Sequence, residues 1–178
     1  MKSDIIRITN DGTGFEKAVN ETLRIGDYEQ LSDKDSLHLE LITEEMLSMV
    51  RILTGETDAV FWIEAENGQF DLHLNTEAVM DKKKRAMLIS TSSSNKNEAA
   101  NSFLGYLRDM FEKAMAQEID KSDHPVSDQT MNDIPIQFAD HQEWDGYEQS
   151  VLRNLADDIR ISIRGKVVDM TVKKSFTK

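Results

Sequence analysis

The chain has 178 residues, no cysteine, and 33 acidic against 21 basic side chains, a formal charge of −12. Such a length suits one domain that buries roughly 70% of its unfolded surface. Without thiols, disulfides, cysteine-bound zinc and iron–sulfur clusters are excluded, and the negative charge opposes nucleic acid and anionic lipid surfaces, which are held by clustered lysine and arginine.

No apolar span reaches 18 residues, and the opening MKSDIIRITN has no signal-peptide pattern, so a cytoplasmic protein without a membrane segment is expected. His38, His73, His124 and His141 fall at no ligand spacing, which points away from a metal centre. The one basic cluster, Lys82-Lys83-Lys84-Arg85, reads as a solvated face that could also meet a phosphate or an acidic partner.

DIIRITN, residues 4 to 10, alternates weakly and reads as a first strand before the breaker Asp11-Gly12. Phe15, Val19, Thr22 and Leu23 then share one side of a helix expected to stop at Gly26. A second helix over residues 34 to 54 follows, with Ser32 or Asp33 as its cap. Leu39, Ile42, Met46, Met49, Val50 and Leu53 fall in one arc of that helix. Leu41 and Ile52 widen the arc on one flank and Leu47 on the other, and Gly55 ends the helix.

Next, TDAVFWIEAE and QFDLHLNT flank Asn67-Gly68, the pair preferred where a two-residue turn needs two positive φ angles. That loop pairs Glu66 with Gln69, so Ala65, Ile63 and Phe61 meet Phe70, Leu72 and Leu74 on one face. Trp62 then meets His73, and Val60 meets Asn75, on the other. AVMDKKKRAMLIS fits a short helix or a strand, and STSSSNKN reads as a flexible polar loop. NEAANSFLGYLRDMFEKAMAQ carries a further helical stripe from Phe103 to Ala114.

Both prolines lie in an aperiodic insertion at about 119–139. An extra helix at about 141–156 follows, with Asp140 and Glu143 spaced as a capping pair and an apolar stripe of Trp144, Tyr147, Val151 and Leu155. DIRISIR and KVVDMTVKKS read as two closing strands about Gly165-Lys166, a type II′ turn. Residues 1–178 thus predict a single α+β domain. It is a two-layer α/β sandwich whose mostly antiparallel mixed sheet is covered on one face by helices.

The stretch LELITEEMLSMVRIL sets two carboxylates in an otherwise apolar helix. Turned at 100° per residue, Glu44 lies nearly opposite the apolar arc, whereas Glu45 stands at its rim, one turn before Met49. With its entry strand, helix pair and hairpin, the chain resembles the histidine-kinase-like (GHKL) ATPases, closest to the anti-sigma-factor serine kinases. The likeness covers residues 4–75 and returns in the last two strands.

In that family the second helix carries a catalytic glutamate and, four residues on, an asparagine that holds the magnesium of ATP. Glu45 matches the glutamate, but Met49 stands at the asparagine position, and a thioether is a poor ligand for a hard cation. The resemblance sets Asn75 where an aspartate reads adenine, with NTEAVM in place of a glycine-rich motif. STSSSNKNEAA replaces the phosphate lid, leaving Lys96 and serine hydroxyls to meet phosphate, or else a plain linker ending in an Asn97 helix cap.

Three readings follow. One is a regulatory, anti-sigma-like scaffold with a degenerate nucleotide site, acting by protein–protein contact, with the insertion and the extra helix as added contact surface. Another is an active ATP-dependent serine kinase or ATPase, with Glu45 catalytic, Asn75 and Lys96 on the nucleotide, and ATP and Mg as cofactors. The last is an unrelated α+β binding domain, because fold likeness licenses no chemistry by itself. The resemblance implies a protein partner of the sigma-factor or anti-anti-sigma type and a homodimer as a common assembly.

Overall fold

The computed structural model describes residues 1–9, 11–54, 58–100 and 146–177. Its strands are β1 (Ile6–Ile8), β2 (Ala59–Glu66), β3 (Gln69–Glu77), β4 (Asp158–Arg164) and β5 (Val167–Ser175). The helices are α1 (Phe15–Tyr28), α2 (Asp33–Thr54), α3 (Lys82–Thr91) and α4 (Gly146–Leu155), with a short 3-10 turn at Glu98–Ala100. The strands form one sheet in the order β1-β2-β3-β5-β4, antiparallel at every pairing. The architecture is a two-layer α+β sandwich.

The hairpin register is the one that its turn dictates. Glu66 pairs with Gln69 and Phe61 with Leu74, and Asn67 and Gly68 both take positive φ. Side chains alternate across a strand, so Phe61, Ile63, Phe70, Leu72, Leu74, Ile161, Met170 and Val172 line one face and are fully buried. The α1 helix packs over β1 and β2, α2 over β3, and α3 over β4, all on that face, while α4 lies against α2 and α3. Burying this apolar area at about 25 cal/mol per Å² is the main force joining the two layers.

Gly26 is not a stop. It sits inside α1, buried where the helix meets α2, beside Leu31, Ser36 and Leu39. Ser32 is the cap of α2, accepting from Asp35 N at 3.2 Å while its hydroxyl donates to the Asp35 carboxylate at 2.7 Å. Leu47 is buried as the wheel requires, but Leu41 is 37% exposed and faces away from the core. It lies too far round the helix from the Leu39–Val50 arc to reach the sheet.

The stretch that fitted either helix or strand is helix from Lys82, capped by the Asp81 side chain at Lys84 N, 2.7 Å. Gly165 takes positive φ between β4 and β5, as expected of its turn. Gly55, the stripe from Phe103 to Ala114, the insertion at 119–139, Asp140 and Trp144 lie outside the described residues.

Candidate functional site

Glu45 is half-buried on the rim of α2, as the wheel predicts. Its neighbour one turn on, Met49, is 2% exposed and belongs to the core cluster with Met46 and Val50. The position where the resembling family has its metal-holding asparagine is therefore filled by a packed thioether, with no oxygen donor to offer a hard cation.

Asn75 lies on the other side of the sheet. Its neighbours Leu74 and Thr76 point into the core, so Asn75 projects from the opposite face. There its amide nitrogen donates to the Asp169 carboxylate of β5. The sheet thus stands between Glu45 and Asn75. Downstream, Thr76 donates to Asp58 O at 3.0 Å, and Ala78, itself buried, donates from its backbone to Lys166 O at 2.7 Å. Where a glycine-rich adenine motif would lie, residues 75–77 are paired strand and Ala78 is tied by its backbone to the β4–β5 turn.

Lys96 is exposed in the turn after α3, with its backbone tied to the Ser92 and Ser94 hydroxyls. The segment around it is not a free polar loop, because its side chains pair with the open edge of β4. Ser93 exchanges two bonds with Ile159, from its backbone N to the carbonyl at 2.9 Å and from the strand N to its hydroxyl at 2.8 Å. Four residues on, the Asn97 side chain makes both bonds to Ile163, its Nδ2 donating to the carbonyl at 3.0 Å and its Oδ1 accepting from the N–H at 2.8 Å, and the residue is 5% exposed. Asn97 also accepts from Ala99 N at 3.2 Å, the cap that its position suggested. These groups satisfy an edge strand whose N–H and C=O would otherwise be unpaired.

The structure therefore brings none of Glu45, Asn75 and Lys96 into one pocket with another. Glu45 is on the helical side, Asn75 on the far face of β3, and Lys96 beyond β4 at the end of the sheet.

The open face of the sheet carries the polar groups that the hairpin register places there, Glu64 opposite Asp71 and Trp62 opposite His73. Trp62 and His73 stack at 4.7 Å between centroids, and His73 Nδ1 lies 3.1 Å from Thr171 Oγ1. Asp71 pairs with Lys173, and Glu64 with Lys2. Burial pushes the His73 imidazole below its ordinary value, while Glu64 and Asp71 pull the other way. Among the described residues, His73 Nε2 and Ser162 Oγ are buried without a hydrogen-bond partner. The register itself was the signal for this face, since it stacks Trp62 on His73 and sets both beside Thr171.

A depression of about 530 Å³ at the turn end of the β2–β3 hairpin is lined by Lys2, Glu64, Glu66, Gln69 and Asp71. None of the three expected nucleotide residues takes part in it. Among the described residues no group of three or more acidic or histidine side chains is placed to hold a metal, and no helix is long and apolar enough to cross a membrane. No protein-family model matches the chain, and a search of curated proteins returns no relative.

Proposed function

We propose that this protein is a regulatory, protein-binding module built on a histidine-kinase-like ATPase scaffold, in the manner of an anti-sigma factor, with a nucleotide site that has lost its chemistry. The observation that carries this reading is Met49, packed into the core where the family would hold magnesium. Two further commitments support it. Asn75 is engaged with Asp169 across the far face, and the stretch in the lid position covers the β4 edge through Ser93 and Asn97.

A side chain committed to folding cannot also follow a ligand. Freeing Asn97 for a phosphate would strip partners from two buried backbone groups of Ile163, at a cost of about 1–3 kcal/mol each. With metal, adenine and lid functions all given up, the scaffold's use is its surface. The partner class implied by the resemblance is a sigma factor or its antagonist.

Calorimetric titration of the protein with ATP and magnesium tests this reading, and no saturable heat is expected. Saturable binding abolished by Glu45→Ala would overturn it in favour of an ATP-dependent kinase or ATPase.

A further inference from the structure

The outward face of α2 has a composition that the fold does not explain. Leu37 is 65% exposed and Leu41 37%, and the two lie one turn apart on the side of the helix opposite Leu39 and Val50. Single exposed leucines are ordinary, but a stacked pair forms a stripe. Beside it, also one turn apart, stand Glu40 and Glu44.

From Asp33 to Val50 the helix has five carboxylates and a single lysine, Lys34. Asp33 and Asp35 suit the positive end of the helix dipole. Glu40 and Glu44 sit in the helix middle, where that benefit has faded and like charges at this spacing repel. Among the described residues no ion pair takes up Asp33, Glu40 or Glu44.

We infer that this face of α2 docks a basic amphipathic helix of a partner protein, with Leu37 and Leu41 meeting its apolar stripe and Asp33, Glu40 and Glu44 meeting its lysines or arginines. The inference rests on the protein-binding reading above and names its partner's chemistry. A helix laid along another covers leucines spaced one turn apart with its own i, i+3, i+4 and i+7 anchors. Basic groups on its flanks relieve the repulsion between Glu40 and Glu44. The net charge of −12 draws a cationic segment in from a distance. Nucleic acid and anionic membranes are repelled by the same charge, which leaves a basic protein helix as the fitting occupant.

The test uses the full chain and a synthetic helical peptide of about 18 residues, five turns, with leucines at those anchor spacings and lysines elsewhere. A scrambled peptide of identical composition is the control, and binding is read by fluorescence anisotropy. The patterned peptide is expected to bind at least about tenfold tighter than the scrambled one, and to weaken as salt rises. Leu37→Ser with Leu41→Ser, and separately Glu40→Gln with Glu44→Gln, are expected to remove most of that difference. Glu66→Gln, on the hairpin turn, should leave it intact.

Equal affinity for both peptides, or a difference untouched by either pair of α2 substitutions, would overturn the inference. Leu37, Leu41 and Glu44 are exposed and Glu40 is half-buried, and circular dichroism of each variant confirms that the fold is kept. The ATP titration reads the scaffold's nucleotide site separately, so failure of one is distinguishable from failure of the other.

Discussion

His73 stacks on Trp62, reaches Thr171 with Nδ1, and is held below its ordinary pKa by burial. Lys2 and Lys173 add to that lowering, and Glu64 and Asp71 oppose it. The unfolded chain protonates an ordinary histidine near 6.5, so it binds more protons than the folded chain just below that pH. Stability should therefore fall as pH drops through about 6.5 toward the lowered folded value. Urea midpoints at pH about 7.5 and about 5.5 measure the slope. His73→Gln should flatten it, and identical slopes in the two proteins would contradict this assignment. Gly26 gives a second residue-scale prediction. A Cβ there would meet Leu31, Ser36 and Leu39 at 3.5 to 3.8 Å, ordinary contact, and the backbone is helical. Gly26→Ala should raise stability by up to about 1 kcal/mol, whereas a glycine ending the helix in a left-handed turn would make the same change destabilising.

At the scale of elements, the parts governed by local geometry were readable from the chain. Asn67-Gly68 admits one tight turn, and that turn sets the register of all eight β2–β3 pairs. The core arc of α2 follows from helical periodicity, whereas Leu41, expected to widen that arc on one flank, is 37% exposed, because apolar character alone does not say whether a neighbour covers that flank. The role of STSSSNKN was not readable. Its serines and asparagine resemble any polar linker until β4, more than 60 residues later in the chain, supplies the backbone groups that they pair with. Asn97→Ala should cost about 1–3 kcal/mol for each of the two groups it strands, the buried N–H and C=O of Ile163. The urea midpoint should drop with the slope m unchanged. No loss of stability would mean that this edge is satisfied by other groups.

For the molecule as a whole, the layered α+β architecture follows from the alternation of amphipathic helices and half-buried strands, and both were legible. The candidate site was legible only in part. The hairpin register already paired Asn75 with Val60 on the polar face, away from Glu45, yet similarity of position along the chain suggested a shared pocket. Sequence order fixes which strand a residue occupies, whereas the side of the sheet follows from counting residues from the turn. Counting places Glu45 and Asn75 apart and leaves Met49 in the core.

The central claim is that this scaffold works without a nucleotide. A ligand at about a hundred times its dissociation constant stabilises the state that binds it by about 2.7 kcal/mol. Thermal unfolding of the intact chain with and without saturating ATP and magnesium measures that term directly. An unchanged midpoint is the expected result. A rise of several degrees that requires magnesium and disappears in Glu45→Ala would contradict it.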